Sequence, residues 1–243
     1  MAQVQGTYGR LSVFEDFLGF ETTTMSTTAL PIGAQGVNYV STNEGSFATT
    51  VDEPGGIVAI TLDTDARDNC ALYIGPFKPA DGGVVMEARL KISALSDLRL
   101  FVGFTETLDA TTPIVPAMMS TVTMTYNGSG GMVGLMCDYD QTTLAWTALA
   151  GDGGAVSGDA AANGTATDAP VADEWDLIRV EIDVDGHGRV YHDGKLIKDV
   201  GIAVTPADLQ FAVVVAEQVA ASGTAVTEVD YFMARGWRDW TLT

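Results

Sequence analysis

The stretch most suggestive of chemistry is Glu181-Ile182-Asp183-Val184-Asp185. Alternate carboxylates on a strand leave the same sheet face. Hydrolysis of a glycosidic bond needs two such groups flanking it, one as nucleophile or base and one as proton donor. The stretch resembles the strand that carries those residues in sandwich-fold glucanases. It departs at the position expected to hold the glutamate acid/base, where Asp185 stands directly before Gly186. A shorter acid at a turn is set back by about an ångström or more, which forfeits most of the advantage of orientation. Polar-outward alternation explains the same spacing. No catalytic residue is assigned, and the chain is expected not to be an enzyme.

His187 and His192 are the only histidines, and no cysteine stands near them. An approach across a hairpin is the most they offer zinc. Asp63, Asp65 and Asp68 precede Asn69, and Asp138 and Asp140 form another alternate pair. Oxygen-rich turns suit calcium, but the first lacks the glycine and closing glutamate of a helix–loop–helix site. Solvated acidic turns are the preferred reading, so no metal and no cofactor are expected. No Gly-x-Ser-x-Gly elbow occurs, and Gly128-Ser129-Gly130-Gly131 lacks the following lysine of a phosphate loop. Cys70 and Cys137 are expected as buried thiols, with a single bridge as the alternative. Of the four tryptophans, Trp175 reads as a core wedge beside a strand start. Trp146 remains a candidate for stacking on a sugar. Trp237 and Trp240, three apart, read as an interface anchor.

These groups sit on a chain of 243 residues with 12 Lys+Arg, 32 Asp+Glu and a net charge of −20. The cations are spread along the sequence, so nucleic acid is not expected as a direct partner. No run of eighteen apolar residues indicates a membrane span, and the first residues lack the pattern of a signal peptide. Synthesis in a cytoplasm is the expected origin. A hydrophobic fraction of 47% excludes global disorder.

The elements are strands. Val84 to Ile92 alternates with period two, and so do Leu98 to Phe104 and Asp176 to Val184. Asp185-Gly186 and Asp193-Gly194 mark two successive hairpin turns. Further strands are expected at Ile57–Leu62, Cys70–Ile74, Met132–Cys137, Thr143–Leu149, Leu209–Ala216 and Thr224–Ala234. Gly151 to Ala169 reads as a long loop, and Pro206-Ala207-Asp208 as one helical turn. The fold class is all-β, a two-sheet antiparallel jelly-roll sandwich. Residues 1–36 form an arm or docking segment and 37–243 the sandwich. Phe14, Phe17, Leu18 and Phe20 are the candidate anchors of that segment. The alternative is that they cover an open end of their own sandwich.

From Trp175 through Asp185-Gly186 to Tyr191-His192-Asp193-Gly194-Lys195 the chain resembles the laminin-G and concanavalin A-like sandwich group. Glu15-Asp16-Phe17, Gly55-Gly56-Ile57, Asp68-Asn69, Met86 to Lys91 and Phe101 to Glu106 occur in an order that resembles capsid decoration or cement proteins of tailed bacteriophages. That resemblance implies a non-enzymatic virion component on the capsid surface, made in the host cytoplasm. It also implies binding to the major capsid protein and to copies of itself, as a homo-oligomer of trimeric type. The sandwich resemblance also admits a carbohydrate or receptor-binding module of a phage tail or fibre, with Tyr191 as a stacking residue.

Overall fold

The computed structural model describes residues 3–4, 10–18, 23–24, 30–32, 37–41, 45–50, 56–108, 115–120, 123–126, 130–152, 155–156, 168–221 and 224–237. In chain order the strands are β1 (Gln3–Val4), β2 (Arg10–Glu15), β3 (Thr23–Thr24), β4 (Leu30–Ile32), β5 (Val37–Ser41), β6 (Ser46–Thr49), β7 (Val58–Thr61), β8 (Asn69–Phe77), β9 (Val84–Ile92) and β10 (Leu98–Thr105). They continue with β11 (Ala117–Ser120), β12 (Thr123–Tyr126), β13 (Met132–Asp138), β14 (Thr147–Asp152), β15 (Ala155–Val156), β16 (Trp175–Ile182), β17 (His187–His192), β18 (Lys195–Ile202), β19 (Gln210–Gln218) and β20 (Val226–Trp237).

The first sheet runs β18-β17-β16-β9-β20-β7-β6-β3, with β2 also on β20 and β1 on β2. The second runs β15-β14-β13-β10-β19-β8-β5-β4, and β11 and β12 form a separate hairpin. The two large sheets pack face to face as the expected antiparallel sandwich. On β9 the inward Val84, Met86, Ala88, Leu90 and Ile92 are buried, while Val85, Glu87, Arg89 and Lys91 stand outward. Burying each of the larger side chains contributes about 1.5–3 kcal/mol. The turns at Gly186 and Gly194 have positive φ, as the Asp-Gly pairs require.

The second sheet is covered on its outer side as well. Phe101, Met136, Val213 and Val215 point away from the sandwich core and pack with Val115, Ala117 and Met119 of the β11 segment. Strands β10 and β13 are therefore buried on both faces.

The described part of residues 1–36 belongs to the sandwich. Strand β2 pairs with the second half of β20, Arg10 opposite Trp237 and Glu15 opposite Phe232. Strand β7 pairs with the first half, and a bulge at Asp230 separates the two registers. Val13 and Phe17 lie in the core, with Phe17 only 1% exposed. Phe17 is thus a core residue of its own chain, because its position beside β2 turns it inward. Phe14 is 53% exposed and stacks on Tyr231, and Leu18 is 71% exposed. Phe20 and Trp240 lie outside the described residues. Pro206-Ala207-Asp208 is a turn rather than a helix, and a short 3-10 helix occurs instead at Pro79–Asp81. The expected loop from Gly151 to Ala169 begins with strand residues of β14 and β15.

Candidate functional site

Four polar residues line up across the second sheet. Asp138 on β13 stands opposite Arg99 on β10, Arg99 opposite Glu217 on β19, and Glu217 opposite Asn69 on β8. Because side chains alternate along a strand, all four share the outer face with Met136, Phe101, Val215 and Ala71. The row therefore lies at the border of the second apolar cluster, beneath the β11–β12 hairpin.

Arg99 is the hub, at 4% exposure. Its Nε donates to Asp138 Oδ2 at 2.5 Å. Its Nη1 lies 2.9 Å from Glu217 Oε2, and its Nη2 donates to Asp140 Oδ2 at 3.4 Å. Asp138 is fully buried and also accepts the backbone N–H groups of Met119 at 2.7 Å and Asp140 at 3.1 Å. The first of these ties the hairpin to the sheet. Val115 N–H reaches Asn69 Oδ1 at 3.5 Å as a second, longer tie. Gln141 adds bonds to Thr147 Oγ1 and the Ala145 N–H.

The electrostatics follow from depth. Burial opposes the Arg99 charge, but the bonds and charges of Asp138 and Glu217 outweigh it and hold the guanidinium above its ordinary range. Burial pushes the Glu217 carboxyl up, against the pull of Arg99. A cavity of about 230 Å³ opens onto this hub, lined by Arg67, Arg99, Met118, Thr125, Asp140, Glu217 and Val219. At its mouth Arg67 holds φ of 72°, a left-handed conformation that costs a non-glycine residue about 1–2 kcal/mol. The Arg67 N–H to Gln218 carbonyl bond at 2.6 Å fixes it there.

The expected sites fall elsewhere. Glu181 faces outward and is held by Arg179, whose Nε and Nη2 lie at 2.8 and 2.5 Å. Asp183 is beyond the strand end, where its Oδ1 accepts the N–H groups of Asp185 and His187, each at 3.0 Å. The two acids thus serve an ion pair and a turn. His187 and His192 do not approach each other across the hairpin, because both lie on β17 with opposite parity: His187 faces outward and His192 inward. Asp63, Asp65 and Asp68 do not bring their carboxylates within 4.8 Å of one another. Among the described residues the one cluster of metal-ligating type is Asp176, His192 and Asp193. There His192 Nε2 lies 2.6 Å from Asp176 Oδ1.

Cys70 and Cys137 are buried free thiols. Trp146 is fully buried and unavailable for stacking on a ligand. Trp175 carries Arg89 and Lys91 over its ring. Trp237 is half-buried and lines a cavity on the first sheet. Sequence reasoning singled out Asp138 and Asp140 but missed Arg99 and Glu217. Those two come from distant strands, and only the pairing register joins them.

No protein-family description and no curated protein sequence matches this chain. Solved structures do. A protein of unknown function from Shewanella oneidensis MR-1 covers 98% of this chain and 90% of its own, with a TM-score of 0.62 and 13% identity. The carbohydrate recognition domain of Emp47p covers 89% and 97%, with 0.52 and 15%. That of Emp46p covers 88% and 98%, with 0.53 and 11%. The chain has the concanavalin A-like two-sheet jelly roll.

These likenesses correct the expectation of a virion component that decorates or cements a bacteriophage capsid. The Emp46p and Emp47p matches spanning nearly the whole fold are carbohydrate recognition domains rather than shell proteins. The segments that suggested a capsid protein have a plainer origin. Met86 to Lys91 and most of Phe101 to Glu106 are the central strands β9 and β10, which such a sandwich needs for its core.

Proposed function

We propose that the chain is a non-catalytic glycan-binding module and that the Arg99 cavity takes a neutral saccharide. The observation that carries the proposal is the in-register row Asp138–Arg99–Glu217 opening to a cavity of about 230 Å³ beneath the hairpin. Sugar hydroxyls both donate and accept, so they suit fixed carboxylates beside a fixed guanidinium. Arg99 holds the acceptors in place before any ligand arrives, which lowers the ordering cost of binding. With Asp138, Asp140 and Glu217 around one buried arginine, the hub disfavours anions. The sandwich shared with carbohydrate recognition domains is consistent with this reading.

The engagement of Asp138 supports reading the site as one that binds without hydrolysis. The Asp138 oxygens are engaged by Arg99, Met119 and Asp140, and the side chain is fully buried. With three of its acceptor positions already taken, Asp138 is poorly placed to serve as the nucleophile or base of a hydrolytic pair.

Screening on a glycan array followed by calorimetry tests the proposal. A neutral oligosaccharide should bind the native chain, with affinity lowered at least tenfold in Glu217→Gln and in Asp140→Ala. Native binding that both variants retain, or no neutral saccharide bound at all, contradicts it. Release of reducing sugar contradicts the non-catalytic part.

A further inference from the structure

Of the 12 lysines and arginines in the chain, three line one cavity on the outer face of the first sheet. The cavity holds about 330 Å³ between Arg10 on β2, Arg189 on β17 and Arg235 on β20. Trp237 forms one wall and Gly82-Gly83 another. Glu181 and Asp183 also reach it, but each already has a cation. Glu181 is held by Arg179 at 2.5 Å, and Asp183 lies 3.7 Å from Arg189. Arg189 also lies 3.6 Å from Asp199. Arg10 and Arg235 are left over. Neither has an ion-pair partner among the described residues.

The pairing of strands enforces this crowding. Arg10 stands opposite Trp237, and Ser12 opposite Arg235, so residues 10 and 235 lie diagonally across β2 and β20. The Arg235 guanidinium is held below its ordinary range, first by burial and then by the charges of Arg10 and Arg179. The more distant Glu181 and Glu87 pull the other way without outweighing this, and an incoming oxyanion would offset the remaining repulsion while accepting forked hydrogen bonds. In a chain of net charge −20 this is a local reversal of sign.

The surroundings indicate what carries the oxyanion. A second cavity of about 270 Å³ adjoins on the same face and shares Glu181. It is lined by Leu177, Tyr191 and Gly194 beside Arg179 and Glu87. An aromatic ring, an apolar side chain and fixed polar groups suit a pyranose, which has an apolar face and a hydroxylated rim.

We propose that this face is a second binding site, for an anionic saccharide. Its carboxylate or sulfate seats between Arg10 and Arg235 beside the Trp237 indole, and the attached sugar runs past Glu181 toward Tyr191. The site shares no lining residue with the Arg99 cavity, so the two assignments stand or fall separately.

Calorimetry on the full chain tests it with four probes: a hexuronate oligosaccharide, a sulfated oligosaccharide, the neutral parent sugar and sodium sulfate. At least one acidic saccharide should bind at least tenfold more tightly than the neutral parent at this face. Arg10→Gln and Arg235→Gln should each weaken it at least tenfold, and Tyr191→Ala should weaken the saccharide but not inorganic sulfate. Affinity should fall as salt rises. Circular dichroism of each variant checks that the sheet is retained, and Arg235→Lys should recover part of the affinity if the charge is what matters. Acidic saccharides bound equally well by folded Arg10→Gln and Arg235→Gln overturn the site. Sodium sulfate binding as tightly as the sulfated sugar, unaffected by Tyr191→Ala, overturns the saccharide assignment. Failure of every acidic probe to bind overturns the proposal entirely.

Discussion

Arg99 is buried beneath a hairpin on the outer face of the second sheet and meets three carboxylates. Arg235 lies half-buried on the outer face of the first sheet, where its neighbour is another arginine. The contrast shows how one sandwich can present two opposite chemistries. Covering a face with a second apolar layer forces its charges to be paired internally, because an unpaired buried charge is too costly. Leaving a face open lets like charges stand side by side, because water screens them. The first arrangement builds a rigid polar cup, and the second an attractive field.

Removing each arginine in turn should separate the two faces most clearly. Arg99→Leu strands Asp138 and Glu217 without their cation and should cost about 3–5 kcal/mol of stability in urea unfolding. Arg235→Gln should change stability by no more than about 0.5 kcal/mol. Similar costs for both would erase the distinction between a paired and an unpaired arginine.

The open face depends on a missing side chain. At Gly82 φ is 145°, and a Cβ there would overlap the Trp237 indole. Gly82→Ala should therefore destabilise by about 1–3 kcal/mol. It should also shift the tryptophan fluorescence, while affinity at the Arg99 cavity stays unchanged. An unaltered emission spectrum would show that Trp237 does not pack on Gly82.

His192 is a third buried group whose charge depends on a partner. Burial lowers the His192 pKa, but the hydrogen bond and charge of Asp176, with Asp193 and Asp168, outweigh it and raise the value above 6.5. The stability this adds is complete below pH 6.5 and is lost as pH rises through the raised value. Unfolding free energy should therefore decline as pH rises above 6.5, and His192→Gln should flatten that decline. A native profile that rises over the same range contradicts the pairing.

A stability effect as small as that of Arg235→Gln is expected at the mouth of the covered cavity. The Asp140 side chain is 45% exposed, so Asp140→Asn should alter stability by no more than about 0.5 kcal/mol. Saccharide affinity should nevertheless fall severalfold. A loss of stability without a loss of affinity would make Asp140 a structural residue only.

Much of the sandwich was legible because open sheet faces write period two into the sequence. Val84 to Ile92 has the same limits as β9, and Asp176 to Ile182 alternates throughout β16. Met132 to Cys137 gave a weaker signal, since burial of β13 on both faces removes the alternation. The aromatic run at Phe14 to Phe20 suggested an arm because β2 joins the sheet at the far end of the chain, against β20. Neither cavity was legible. Arg99 with Glu217, and Arg10 with Arg235, are brought together by strand order, and their types alone carry no spacing signal.

The two proposals give the outer faces different ligands, a neutral saccharide beneath the hairpin and an acidic one on the open sheet. The most direct measurement is calorimetry of native, Glu217→Gln and Arg235→Gln proteins, each against one neutral and one acidic oligosaccharide. A crossed pattern is expected: Glu217→Gln loses the neutral ligand and keeps the acidic one, whereas Arg235→Gln does the reverse. Loss of both ligands in either folded variant, or of neither in both, would contradict it.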